Sequence, residues 1–523
     1  MHLYLSLYPK TLDASELRDG FKYGFKINYF GPRFSSTCDN LISTKQHPDE
    51  VRQKIYKEIE LGRVAGPFDQ VPMHNFRLSP IGIVAKKDGG WRLIHHLSFP
   101  EGSSVNDFID PDYCTVHYTP FDEVLEMIAN LGTDSFLAKM DVKSAFRLLP
   151  VHPADQELLG FKFNNQFYYD MCLPMGCSIS CALWEKFASF LEWVTITKTG
   201  KDTLRHYLDD FIFAAKDIEG CKLLMSSFQN TCRDFGIPLA EEKTVGPKKS
   251  LVFLGIEIDT EKMVISIPED KTIALKHSIL QILGKSKITL KILQSLVGTL
   301  NFCAKAIPAA RAFNRRFCDA MCGIKHPSHF IRVNEGMKSD LRVWLSFLEQ
   351  FNGSLNFLEI NWLSDFDLHL YTDSAGNPQL GCGVYLQGQW AYFQWPHEWQ
   401  NTDIISDITF LELIPIVLAV MLFKSHFHNK KIMFHTDNIA LVAILNKKTS
   451  KSKRVMQLVR PLVLYAMINN TYFKSRHISG YNNSIADSIS RKQWTRFRSL
   501  APEADVHPLP IPEDFTRMIS ELK

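Results

Sequence analysis

The chain runs to 523 residues, 45% apolar and 22% charged, which suits about three globular domains with sizeable cores and excludes fibrous or disordered classes. With 59 basic against 56 acidic residues the net charge is only +3, so any nucleic-acid partner must meet local basic patches, not a globally basic body. The eleven cysteines are scattered and the N-terminus lacks a charged region followed by a long apolar one, which excludes a secreted disulfide scaffold and fits a cytoplasmic or nuclear protein.

Residues 1–75 mix short helical and irregular stretches, among them the amphipathic segment Pro48 to Leu61. Ser79 to His96 is strand-like, with a turn at "KKDGG". Residues 121–260 alternate helical and strand patterns, as a mixed sheet with packed helices would. Within them, "RHYLDDFIFA" (205–214) predicts a hairpin whose strands end at Leu208 and restart at Phe211, with Asp209 and Asp210 in the tight turn. Aspartate is common in turns for its own backbone chemistry, so the pair alone leaves two readings open.

Residues 270–350 are expected to be helical throughout, with few strand signals. Cys318, Cys322, His326 and His329 in this stretch are too closely spaced for a zinc finger, and the two cysteines are expected to be helical core residues. A second α/β unit opens at "DLHLYTDSAG" (367–376) and continues with strands over 381–395. A helix near 409–425, a strand at 431–435, two further helices, a strand near 471–477 and a last helix from about 483 follow. The apolar run 410–423 is interrupted by Glu412 and is too short to span a bilayer. The closing residues, with Pro502, Pro508, Pro510 and Pro512, are expected to form a tail.

Asp141 ends the apolar run of "LAKMDVKSAFRLLP" (137–150). Phosphoryl transfer needs charge neutralisation and in-line positioning, which two metal ions roughly 4 Å apart supply when carboxylates from separate strands hold them. Asp141 with Asp209 and Asp210 is a workable cage, and metal would relieve the repulsion within the pair.

Tyr207-Leu208-Asp209-Asp210 resembles the YxDD box of reverse transcriptases, and Asp141 falls where their first catalytic aspartate lies. "LPMGCSIS" (173–180) resembles the segment under the incoming nucleotide, and "VFLGIEI" (252–258) the primer-grip hairpin, preceded by Lys243. "KKDGGWRLIHHLSFPEGSSVND" (86–107) resembles the fingers hairpin. The resemblance implies a right-hand fingers, palm and thumb polymerase. It implies two Mg²⁺ or Mn²⁺ on Asp141, Asp209 and Asp210, and Lys86 and Arg92 on the triphosphate. Met175, Gly176 and Lys243 would line the nucleotide site, and Phe146 would wall off a 2′-hydroxyl. His95-His96-Leu97-Ser98 replaces the Asp-aromatic-Arg of retroviral enzymes, and Met175 a glutamine. "RLIHHLS" followed by "SSVND" is similar to DIRS-type (tyrosine-recombinase) retrotransposons.

Asp373, Glu412, Asp437 and Asp487, with His477 ten residues before the last, resemble the ribonuclease H centre in order and topology across 366–492. The resemblance again implies two metal ions, with His477 assisting proton transfer or product release. Pro415 should kink the Glu412 helix or mark its first turn. In "DSAG" the inserted Ala375 breaks the aspartic-protease motif. "KKTSKSKR" (447–454) is expected to be a ridge gripping the phosphates of a hybrid, or else a solvated basic loop.

The implied division is an N-terminal extension (1–75), fingers and palm (76–265), thumb or connection (266–355), a ribonuclease H-like domain (366–492) and the tail (493–523). The implied partners are an RNA template, a DNA primer, dNTPs and the RNA–DNA hybrid, with no membrane. An element-encoded recombinase or capsid-like protein would come on other chains. The rival expectation is a catalytically inactive, host-retained protein that only binds nucleic acid.

Overall fold

Alternating apolar residues in "FLAKMD" and a nearly continuous apolar run in "DFIFAA" make Phe136–Asp141 and Asp210–Ala215 the two central strands of a four-stranded antiparallel sheet. Leu204–Tyr207 and Val245–Lys248 flank them. The computed structural model describes residues 1–523 except 87–88, 353–354, 358–362, 401, 429, 478–482 and 523. It divides into two units, Met1–Leu254 and Gly255–Lys523.

In the first unit, helices Ser180–Thr199 and Ile218–Asp234 pack on the sheet. Leu183, Trp184, Phe187, Phe190, Leu191 and Val194 recur at helical spacing and are buried with Phe211, Phe213 and Phe228. The N-terminal helices His2–Leu7 and Thr11–Tyr23 join this core through Leu5, Tyr8 and Leu17, Tyr8 meeting Phe190 edge-on at 5.4 Å. Helix Pro48–Glu60 buries Val51 and Ile55 in a satellite cluster with Ile81, Ile83, Phe161 and Tyr168. That cluster draws on the hairpin Ile81–Ala85/Trp91–His95 and on a three-stranded sheet of Val64–Phe68, Gln166–Asp170 and Gly160–Phe163.

The aspartate hairpin differs by one residue from the sequence expectation. Tyr207 pairs with Asp210, so Asp210 begins the second strand and the turn is Leu208-Asp209. Leu208 takes φ +55°, a costly conformation for a leucine, held by its packing against the core.

In the second unit, helices Glu269–Leu283, Leu290–Cys303, Arg315–Met321 and Glu335–Gln350 bear out the helical reading, but a short pair of strands, Lys287–Thr289 and Phe330–Arg332, interrupts it. Each strand is three residues long, too short for a period-two pattern to show.

Strands Leu370–Ser374, Gly381–Leu386 and Gln389–Gln394 form an antiparallel sheet, and Leu363–Ser364, Lys431–Thr436 and Tyr472–His477 a parallel one. Helices Ile408–Leu422, Lys453–Ile468 and Ser484–Ser490 pack with them. Pro415 lies inside the first of these helices and is buried there. The segment expected as a tail instead carries helices Trp494–Leu500 and Glu513–Ser520. Phe497 and Phe515 are buried, with Phe497 against Tyr385 and Trp390, so apolar burial outweighs the proline content. Among the described residues no helix is long and apolar enough to cross a membrane.

Candidate active sites: two carboxylate clusters

Register places Asp141 directly across from Asp210, and the turn carries Asp209 beside them, its carbonyl accepting from Val142 N at 2.9 Å. Burial, then the Asp141 charge, pushes the Asp209 carboxyl up. Burial with both neighbouring aspartates pushes Asp210 up to about 6. Three carboxyls thus share one half-buried end of the sheet with too little positive charge nearby. Lys243 supplies part of it, its Nζ donating to Asp141 Oδ2 at 2.8 Å. The Arg92 charge also reaches Asp209.

The other residues expected at this site lie on segments around it. Lys86 is exposed at the hairpin turn, its N–H bonding Gly90 O at 2.6 Å, and Arg92 is exposed on the returning strand. Phe146 is half-buried in a 3-10 turn, Ala145–Leu148, five residues after Asp141. Met175 is 54% exposed. Gly176 lies so close to the hairpin that a side-chain carbon there would stand 1.9 Å from His95 O.

Sequence reasoning missed the charges that support these segments. His95 and Arg147 share Asp170, at 2.8 and 2.7 Å, although His95 lies 75 residues from it. His206, just before the aspartate turn, is buried between Glu185 and Glu192 of helix Ser180–Thr199. Burial opposes its charge, but the bonds to Glu185 and Glu192 prevail and push it up to about 9. No local pattern announces either set, since each joins residues far apart in sequence.

In the second unit Asp373 lies near the end of strand Leu370–Ser374 and accepts from Ser490 Oγ at 2.6 Å. Glu412, one turn into its helix, accepts from Ser374 Oγ at 2.9 Å. Burial first, then neighbouring acids, pushes Asp373 up to about 7 and Glu412 up to about 8; Asp487 and Asp437 contribute to the first, and Asp373 and then Asp437 to the second. Asp373 therefore feels the charges of Asp487 and Asp437, and Glu412 those of Asp373 and Asp437. Gly383 lets the Asp487 helix sit on its strand, where a side-chain carbon would stand 2.7 Å from Ile489. Asp437 follows strand Lys431–Thr436, and His477 Nε2 donates to its carbonyl at 3.2 Å. Residues 478–482 of "HISGYNNSIAD" lie outside the described residues.

Among the described residues no three His, Cys, Asp or Glu side chains stand gathered at metal-ligand distances. Lys243 takes one Asp141 oxygen, and Arg491 and Arg496 bind the two Asp487 oxygens. The donor chemistry nevertheless suits hard divalent ions, because both sets are all-oxygen, partly buried and mutually repelling. That repulsion, which adds to burial in raising Asp210, Asp373 and Glu412, is what a bound cation would relieve.

The basic stretch 447–454 does not form the continuous ridge expected of it. Lys447, Lys451 and Lys453 are exposed, but Lys448 is buried, bonds Leu445 O and Phe473 O, and lies 3.6 Å from the Phe473 ring centre. Arg454 pairs with Asp403 at 2.9 Å. The left-handed backbone at Lys448, φ +54°, ends the preceding helix and turns that side chain inward.

Residues 84–258 match the family model described as reverse transcriptase (RNA-dependent DNA polymerase). The Gag-Pro-Pol polyprotein of Mason-Pfizer monkey virus is 23% identical over 288 residues, which cover 53% of this chain and 15% of that protein. Protein P of duck hepatitis B virus (isolate Shanghai/DHBVQCA34) is 28% identical over 164 residues, 31% of this chain and 20% of that one. The chain thus spans a fifth or less of either relative. A foamy viral protease-reverse transcriptase solved in complex with an RNA/DNA hybrid superposes with a TM-score of 0.51 at 15% identity, covering 91% of this chain and 61% of that one. Residues 84–258 thus carry the reverse transcriptase family's signature, in a chain whose mixed helix-and-strand fold is that of a right-hand polymerase with a ribonuclease H-like domain.

Proposed function

We propose that the protein is an RNA-directed DNA polymerase with ribonuclease H activity, encoded by a DIRS-type retrotransposon. The observation that carries the polymerase reading is the register that sets Asp141 against Asp210 with Asp209 in the adjoining turn. These three would hold two Mg²⁺ or Mn²⁺ ions, whose charge offsets the charge developing on the transferring phosphoryl group. The primer 3′-hydroxyl attacks the α-phosphorus of a dNTP opposite the RNA template, and pyrophosphate leaves. Lys86 and Arg92 meet the triphosphate, Met175 and Gly176 floor the nucleotide, and Phe146 faces its sugar. Lys243, bonded to Asp141, adds a positive charge at the same centre.

The nuclease reading is supported by Asp373 feeling the charges of Asp487 and Asp437, and Glu412 those of Asp373 and Asp437, in the second unit. They would hold the metals that cut the RNA strand of the hybrid, with His477 at the Asp437 carbonyl assisting proton transfer. Fingers and palm (76–265), thumb or connection (266–355) and ribonuclease H-like domain (366–492) are the functional division this reading assigns, and cytoplasm or nucleus the compartment. Extension of a DNA primer on homopolymer RNA with Mg²⁺, with the fate of the RNA followed, tests the whole reading. A protein that binds hybrid yet neither extends nor cleaves would favour the inactive binder.

A further inference from the structure

Arg147 follows Phe146 in the same 3-10 turn, and its guanidinium is bonded on every side. Nε donates to Glu58 Oε2 at 3.0 Å. Nη1 donates to Asp170 Oδ1 at 2.7 Å and to Cys172 O at 2.8 Å, and Nη2 to Arg63 O at 3.2 Å. The acceptors come from helix Pro48–Glu60, the residue before strand Val64–Phe68, the end of strand Gln166–Asp170 and the residue two beyond it. Asp170 is 4% exposed and gives its other oxygen to His95 Nδ1 at 2.8 Å. His95 closes the strand that begins at Trp91, and its carbonyl is the one pressed against Gly176. One buried carboxylate therefore ties the turn bearing Phe146 to the basic hairpin, whose end lies against Gly176. A lysine has three donors on a flexible stem and could not satisfy four acceptors around a planar fork.

We propose that Arg147 is a positioning residue for sugar selection: anchored by Asp170, Glu58 and the Cys172 carbonyl, it fixes the neighbouring Phe146 ring where a ribose 2′-hydroxyl would fall. This rests on the polymerase reading above and adds to it the residue that sets the gate. A cluster that merely stabilised the fold would change melting and leave the choice of sugar untouched. A positioning cluster changes the choice itself, because the ring's placement is what excludes the extra hydroxyl.

The test is single-nucleotide extension on one primer–template, comparing kcat/KM for dCTP and rCTP in wild type, Arg147→Lys, Glu58→Gln, Phe146→Val and Phe146→Val/Arg147→Lys. Arg147→Lys should lower the dCTP-to-rCTP ratio at least tenfold, and Glu58→Gln should lower it less. The double variant should match Phe146→Val alone, because a gate already removed has nothing left to position. A ratio unchanged in Arg147→Lys, or a double variant that loses the product of both factors, overturns the proposal. If Arg147→Lys does not fold, Glu58→Gln decides: it leaves the Arg147–Asp170 pair in place, and an unchanged ratio there overturns the proposal. A wild type that extends no primer overturns the polymerase reading and the gate with it, whereas extension with unaltered sugar choice overturns the positioning role alone.

Discussion

Alanine at Gly176 would place a carbon 1.9 Å from the His95 carbonyl oxygen, where ordinary contact begins at 3.4 Å, so loop and strand must part by about 1.5 Å. Neither side yields readily. The obstructing atom is backbone, at the end of a hydrogen-bonded hairpin, and the His95 side chain is tied to a buried aspartate. Crowding of this kind costs roughly 1–3 kcal/mol of stability. If Gly176 floors the nucleotide, a displacement of about an ångström costs on the order of 10²-fold in rate. Gly176→Ala should therefore lower kcat/KM for dNTP incorporation about a hundredfold while hybrid cleavage, centred in the other unit, persists. Single-nucleotide extension and hybrid cleavage on one preparation, with urea denaturation alongside, measure all three effects. Near-wild-type incorporation by a folded Gly176→Ala would refute the close approach of loop and hairpin as a functional constraint.

His206 is held charged between Glu185 and Glu192, its pKa raised from 6.5 to about 9, so its contribution is full below pH 6.5 and fades as pH rises through 9. His206→Gln should accordingly cost about 3 kcal/mol near pH 6, a deficit that shrinks towards pH 9.5 in denaturation series at each pH; a deficit constant with pH would remove the charge from the account. Neutralising Lys447, Lys451 and Lys453 should flatten the salt dependence of hybrid binding by about one unit of log–log slope for each phosphate no longer neutralised, whereas Lys448→Met should leave the slope alone, since that side chain is buried. Gly298 lies in helix Leu290–Cys303 with open space where a side-chain carbon would go, so Gly298→Ala should stabilise the second unit by about 0.8–1 kcal/mol, read as a higher denaturation midpoint.

What the sequence made legible was local. The two apolar runs flanking Asp209 and Asp210 announced their hairpin to within one residue, and Asp141 at the end of a short apolar run announced a strand end. The strands Ile81–Ala85 and Trp91–His95 and the order of strands and helices around Asp373, Glu412, Asp437 and Asp487 were likewise visible as periodicity and punctuation, while residues 87–88 of the expected turn lie outside the described residues. Interactions over long chain distances were not. Nothing near Lys448 says that it turns inward onto Phe473, and nothing near Arg454 names Asp403, 51 residues before it. Prolines at 502–512 suggested an unstructured end, yet Phe497 and Phe515 find apolar partners that composition alone cannot foresee. The buried charges around Asp170 belong to the same class: each is costly alone, and their pairing exists only in the folded chain.

The proposed function places one carboxylate centre on each of two units, and one pair of substitutions tests them together. Wild type, Asp209→Asn and Glu412→Gln are assayed for primer extension on RNA and for cleavage of a preformed RNA–DNA hybrid. Each variant is compared with wild type for folding by its melting curve. Asp209→Asn should abolish extension and keep cleavage, and Glu412→Gln should do the reverse. Loss of both activities in either folded variant, or retention of extension by Asp209→Asn, would contradict the account.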